Sequence, residues 1–189
     1  MSEKVSISAM PTPNPNTIKF LPNIKLFDSG AVDFPTKEDA KGSILAEKLF
    51  EIEHVTGVML GSVFVSVTKS ESCGWDHLLE SVRDTILTVL EQHTSYVSEA
   101  ALELAQSSQK ERSEIEQKIQ EILDTEIRPA IALDGGDVSL LRFEDGVVVL
   151  KLQGACSGCP ASSMTLKMGI ENRLKEEFPG IVEEVIQEA

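Results

Sequence analysis

Two cysteines three residues apart, Cys156 and Cys159, stand in the stretch Leu152-Gln153-Gly154-Ala155-Cys156-Ser157-Gly158-Cys159-Pro160-Ala161-Ser162-Ser163. Thiols at that spacing can grip one metal centre or close one small disulfide ring. Gly154 and Gly158 lie on either side of Cys156, so the backbone can turn tightly and come close to a bulky ligand. Pro160 suits the first turn of a helix, where its missing N–H costs nothing. Such a helix would aim its unpaired N–H groups and partial positive charge at the sulfurs.

Three chemistries fit the pair: a thioredoxin-like redox site, half of a zinc site, or half of an iron–sulfur site. Zinc takes four Cys or His ligands and an iron–sulfur cube takes four thiolates. The chain offers two clustered cysteines and one distant one, Cys73. A closed site within one subunit would need Cys73 and a histidine from the other half of the chain. A symmetric dimer supplies four thiolates with no further assumption. The redox reading expects a parallel βαβ surround with proline between the cysteines. Here a hairpin is expected before the pair, and the proline follows it. Two inert, buried cysteines would not call for so many glycines and small residues around them.

Other candidates are weaker. Cys73, in Ser70-Glu71-Ser72-Cys73-Gly74, reads as an incidental loop thiol. His54, His77 and His93 are isolated, suited to solvated or capping roles. Trp75 begins an apolar stripe and reads as core. Asp134 and Asp137 form a carboxylate pair on paper, but Gly135-Gly136 between them signals a turn and a helix stop. Glu183, Glu184 and Glu188 read as a solvated edge. No Ser-His-Asp, Walker or dinucleotide signature is present.

The elements that must position the pair follow from periodicity. A helix with Ile115, Ile119, Ile122, Leu123 and Ile127 on one face is disturbed by Pro129 and stopped at Asp134-Gly135-Gly136-Asp137. Strands 138–143 and 147–152 form a hairpin around Glu144-Asp145-Gly146, and the second strand runs into the cysteine loop. A helix carrying Leu166, Ile170 and Leu174 follows and stops before Pro179-Gly180. A last strand covers 181–186. This half reads α-β-β-α-β. The first half begins with a proline- and asparagine-rich entry at 10–22, then a strand at 17–21 with 24–27 as its hairpin partner. A helix begins at Thr36-Lys37-Glu38-Asp39 and ends near Glu51. Strands 55–60 and 63–68 flank Gly61-Ser62, a two-residue hairpin signal. Trp75, Leu78, Leu79, Val82, Ile86, Val89, Leu90 and His93 mark the clearest amphipathic helix. This half reads β-β-α-β-β-α. The Ser-, Glu-, Gln- and Ala-rich stretch between the halves, without a strong apolar stripe, reads as a linker, partly helical. The expected fold class is α+β, with two small domains at 1–94 and 113–189 joined by a linker at 95–112. No repeat relates the halves.

Composition narrows function by exclusion. Over 189 residues the formal net charge is −14, with no long basic run, which disfavours nucleic acid and anionic membranes as partners. Residues 1–95 carry 8 basic and 13 acidic side chains, and residues 96–189 carry 9 and 18. Apolar runs fall far short of a membrane span. The N-terminus shows neither a secretory segment nor the Arg-rich, acid-poor character of a transit peptide. Three cysteines in such a chain point to a reducing compartment and to metal or redox chemistry.

Two segments resemble the NifU-like (Nfu) iron–sulfur scaffold family. One comprises Ile127-Arg128-Pro129-Ala130, Asp134-Gly135-Gly136-Asp137, Leu152 to Pro160, Thr165-Leu166-Lys167 and Gly169-Ile170-Glu171, in the family's order and spacing. The other, Pro11-Thr12-Pro13-Asn14-Pro15-Asn16-Thr17-Ile18-Lys19-Phe20, resembles the start of the N-terminal domain of mitochondrial-type and related bacterial Nfu proteins. The resemblance implies a [4Fe–4S] cluster held by Cys156 and Cys159 of two subunits and handed to apo-proteins; Cys73 matches no ligand of the motif. It implies a carrier rather than an enzyme, homodimeric when loaded, with apo iron–sulfur proteins as acceptors and upstream cluster-assembly proteins as sources. The expected compartment is a bacterial cytoplasm or, with a presequence removed, the mitochondrial matrix. The rivals are a dithiol–disulfide oxidoreductase using the same two cysteines and a zinc-bridged interaction module.

Overall fold

The structure, a computed structural model, describes residues 5–28, 30–106, 113–157 and 160–188, with backbone alone for 103–106 and 160–163. The chain divides into two compact units, Met1–Ser107 and Ser108–Ala189, each mixing helices with one sheet, so the fold is α+β.

In the first unit, strands β1 (Ile7–Pro11), β2 (Thr17–Pro22), β3 (Ala31–Phe34), β4 (Val55–Gly61) and β5 (Val65–Lys69) form an antiparallel sheet in the order β1-β2-β5-β4-β3. Side chains on one sheet face, such as Phe20, Leu60, Val65 and Val67, share a core with Leu45 and Leu49 of helix α1 (Ile44–Leu49). Val82 and Ile86 of helix α2 (Trp75–Gln92) complete that core. The expected hairpin partner at 24–27 is not a strand; Leu26 N–H donates to the Ser62 carbonyl (2.8 Å) and its side chain is buried. The flanking strands pair elsewhere: β2 with β1 and β5, and β3 with β4. The helix expected from Thr36 starts eight residues later. Thr36 and Asp39 close a turn through their side chains (2.6 Å), Gly42 takes φ 93°, and Ser43 caps α1 by accepting from Ala46 N–H (3.1 Å). The loop between β4 and β5 spans three residues, not two. Gly61 ends β4, and a Cβ there would collide with the Phe64 ring.

The stretch assigned to a linker begins in this unit's core. Tyr96 and Val97 are buried, Ser98 N–H donates to Gly42 O (2.7 Å), and Ala101 and Leu102 of helix α3 (Glu99–Gln106) pack against the cluster. The entry motif folds into a fixed turn. Asn14 Oδ1 accepts from Asn16 N–H (3.0 Å), Lys69 Nζ donates to Asn16 Oδ1 (3.0 Å), and Trp75 Nε1 donates to the Pro15 carbonyl (3.2 Å).

In the second unit, helix α4 (Glu114–Ile122) starts at a capping box between Ser113 and Glu116. Pro129 does not break the helical run. A π-helical turn, Leu123–Ile127, leads into helix α5 (Arg128–Leu133), and Arg128 N–H reaches back five residues to Leu123 O. The wider turn tolerates a proline that lacks an N–H and would crowd a tight turn. Strands β6 (Gly136–Glu144) and β7 (Val147–Gly154) form the expected hairpin, with Asp145 at φ 49° and Gly146 at φ 81°, the left-handed pair that a two-residue turn needs. Helix α6 (Pro160–Glu177) carries the chain back, and strand β8 (Glu184–Gln187) pairs with β7 in parallel. Ile119, Leu123 and Ile131, Val138 and Leu140, Leu150 and Leu152, and Ile170 and Leu174 make one core between helices and sheet.

Candidate functional site

Cys156 sits in the turn that leaves β7, and α6 begins four residues later at Pro160. Cys159 lies outside the described residues. Cys156 is only 6 % exposed and belongs to the second unit's core. Its neighbour across the hairpin is Gly136, the first residue of β6, which pairs with Gly154. A Cβ at Gly136 would collide with Cys156 Sγ and come within 3.1 Å of both Cys156 Cβ and the Gln153 carbonyl oxygen. The glycine is therefore the floor on which the thiol rests. Gly135 (φ 76°) and Gly154 (φ 60°) turn the backbone on either side, and Ala155 N–H donates to the Gly135 carbonyl (3.1 Å). Ser157 N–H donates to Gly154 O (3.0 Å), closing the turn that carries Cys156.

The Asp134–Asp137 stretch thus stops a helix, as its glycines indicate, and also supports the cysteine loop. Asp137 is not half of a carboxylate pair. Its Oδ1 lies 3.0 Å from Arg128 Nε, which also donates to the Val138 carbonyl (3.0 Å), while Arg128 Nη1 donates to Asp124 (2.7 Å). One guanidinium, aimed by the π-turn and α5, fixes the start of β6 beneath the loop. Burial pushes the Asp137 carboxyl above its ordinary value although Arg128 pulls it down. Arg128, Gly136 and Asp137 are the residues that spacing alone does not single out as supports of the thiol. The two motifs Ile127–Ala130 and Asp134–Asp137, nine residues from Arg128 to Asp137, were the available signal.

The surround of the loop differs from expectation. Strand β7, α6 and β8 form a parallel β-α-β unit, so the cysteine loop occupies a strand-to-helix crossover. The absence of such a unit therefore cannot count against thiol–disulfide chemistry.

The remaining cysteine and histidine candidates lie in the first unit and do not gather. Cys73 Sγ faces the Gly74 carbonyl (3.5 Å) and is partly buried against that unit's core. His54, at φ 73°, meets Ser70 Oγ through Nδ1 (3.3 Å); His77 is exposed; His93 caps the C-terminus of α2. Trp75, expected in the core, is half-buried there against Phe20 and also ties down the entry turn. Among the described residues no three His, Cys, Asp or Glu side chains cluster as metal ligands, and no described helix is long and apolar enough to cross a membrane.

Residues 119–186 match the NifU-like domain, and residues 7–93 match the N-terminal domain of scaffold protein Nfu/NifU. A human protein, the mitochondrial NFU1 iron-sulfur cluster scaffold homolog, is 40% identical over 185 residues, covering 96% of this chain and 72% of that protein. The chain belongs to the Nfu scaffold family. Mitochondrial NifU-like protein 4 of Arabidopsis thaliana is also 40% identical, over 94% of this chain and 65% of its own length. The mitochondrial NFU1 iron-sulfur cluster scaffold homolog of Drosophila persimilis is 38% identical, over 97% and 66%. This Nfu chain therefore spans about two thirds of the length of several relatives. The family match covers both units, and the NifU-like domain contains Arg128, Gly136, Cys156 and Cys159 together.

Proposed function

We propose that this chain is an iron–sulfur scaffold or carrier that holds a [4Fe–4S] cluster through Cys156 and Cys159 of two copies and delivers it to apo-proteins. The observation that carries the reading is the seat of Cys156: a cysteine loop at a strand-to-helix crossover, resting on a glycine with no room for a side chain. Relatives with this architecture are named as iron–sulfur cluster scaffolds. Each chain contributes two thiolates, and a cube takes four, so a second copy completes the set. The cluster is cargo. The start of α6, directly after the loop, offers N–H groups and a partial positive charge to a negative thiolate complex. In handover, each exchange breaks one iron–thiolate bond to this protein and forms one to an acceptor cysteine. The acceptor thiol gives up its proton, and the departing thiolate takes one up. Thiolate ligation suits the reducing compartments, mitochondrial or bacterial, in which this reading places the chain.

The parallel β-α-β surround keeps one rival in view, a dithiol–disulfide oxidoreductase. Anaerobic reconstitution separates the two. The scaffold reading expects broad visible absorption, with iron and sulfide approaching two of each per chain, four per dimer. Cys156→Ala and Cys159→Ala should each abolish retention of iron and sulfide, and Cys73→Ala should retain them. Disulfide reductase turnover without chromophore would favour the rival, and bound zinc without sulfide would favour a zinc-bridged module. A Cys73→Ala protein unable to hold the cluster would overturn the ligand assignment.

A further inference from the structure

Helix α6 has a second side that the core does not use. Ile170 and Leu174 are buried, but Met164 and Met168, one turn apart, are 67 % and 60 % exposed. Beside them, β8 is the open edge of its sheet. The helix flank, the β8 edge and Val147 border an open groove of about 840 Å³. Glu171, Glu183 and Glu184 stand on it against Lys167. Lys167 Nζ lies 3.8 Å from Glu184, Glu171 is held by Lys175, and Glu183 makes no ion pair with a described residue. The groove thus pairs two pliable apolar side chains with a net negative rim. A single exposed apolar side chain is ordinary, but adjacent methionines in a concave site form an adaptable binding surface.

The occupant can be narrowed by chemistry. Groove against groove, a second copy would set Glu171, Glu183 and Glu184 against the same three acids, and like charges across an interface oppose docking there. An added strand is hindered as well. The N–H groups of Glu184 and Glu188 turn toward β7, so that of Val185 points outward, and it already donates to Glu171 Oε2 (3.1 Å). A helix that seats apolar side chains on the methionines and sets lysine or arginine against the acids needs neither free edge groups nor a basic copy of this chain. We propose that the α6–β8 groove docks an amphipathic basic helix of a partner protein. Because α6 follows the cysteine loop directly, a partner seated there lies beside whatever the loop carries, while docking itself requires no cargo.

The test uses the cluster-free full chain labelled at its methionine methyl groups. The probe is a synthetic peptide of leucine and lysine with leucine at helical spacing. Two comparators carry glutamate in place of lysine, or the same residues in strict alternation. The helical basic peptide should shift the Met164 and Met168 signals saturably and leave Met10 and Met59 in place, while neither comparator does so. Replacing both exposed acids, Glu183→Gln with Glu184→Gln, should weaken binding about fivefold. Equal shifts at all methionines, equal binding of a comparator, or no effect of the double variant would overturn the proposal. So would movement of the Met164 and Met168 signals with protein concentration alone, which would assign the groove to a second copy. The double variant should still load iron and sulfide as the parent does, so a failed groove and a failed scaffold reading give different results.

Discussion

At the scale of single residues, the site depends on what is missing at Gly136. A methyl group there would press on Cys156 and on the Gln153 carbonyl, which is backbone and cannot swing aside. Gly136→Ala should destabilise the second unit by about 1–3 kcal/mol, as overpacking does. It should also cut cluster loading although both cysteines remain; unchanged loading and melting would refute the role of the glycine as a floor. Asp137 gives a pH signature. Its carboxyl lies above its ordinary value because burial outweighs Arg128. The folded chain therefore holds that proton more tightly than the unfolded chain, and stability falls as pH rises from the ordinary carboxylate range through the raised value. Compared with Asp137→Asn, the parent should lose relative stability over that window and then level off in thermal melts. A relative gain with rising pH would mean that the ion pair dominates. Cys156 was legible because thiol spacing is local. The roles of Gly136 and Arg128 were not, because they arise only when β6 is laid against β7 and the π-turn aims the guanidinium.

At the scale of elements, the same contrast holds. The hairpin at Asp145-Gly146 and helix α2 were readable, since a left-handed turn pair and a long apolar stripe are signals contained in the segment. The segment 24–27 has the pattern of a strand, but Leu26 serves the core from a loop, and β2 finds its partners 10 residues before it and about fifty after it. Pro129 read as a disturbance of the helix because the widened turn that absorbs it has no sequence signature. The parallel pairing of β7 with β8 depends on α6 carrying the chain back. That return is pinned where Glu171 accepts the Val185 N–H, its carboxyl held below the ordinary value by Lys175 and by that N–H. Glu171→Ala should loosen β8 selectively. Loss of about 1 kcal/mol there would speed exchange of the Val185 amide roughly fivefold, with α4 amides unaffected. Uniform acceleration throughout the second unit would show that the contact serves global stability instead.

At the scale of the whole molecule, two units with separate cores suggest a division of labour. The proposed ligands belong to the second unit, and the first has its own sheet and helices and no gathered ligand set among its described residues. We propose that the first unit serves recognition of acceptors or positioning, which would raise the local concentration of the donor at a docked acceptor. A truncated protein beginning at Ser108 should fold and load its cluster, but transfer it more slowly than the full chain at limiting acceptor. Equal transfer rates would leave the first unit without a targeting role. The extent of each unit was only partly legible. Composition marked the stretch after residue 94 as polar, yet Tyr96, Val97 and α3 belong to the first core, because a few apolar residues suffice to dock a short segment.

The inward seat of Cys156 has a consequence for survival between rounds of loading. Attack by peroxide or by a disulfide needs a thiol that is both ionised and reachable. A sulfur folded against Gly136 is poorly reachable, so the empty chain keeps at least this donor out of contact with oxidants, while Cys73, in a loop of the other unit, is more open to them. Oxidation of an idle molecule would then reach Cys73, which stands outside the proposed ligand set, before it reached Cys156.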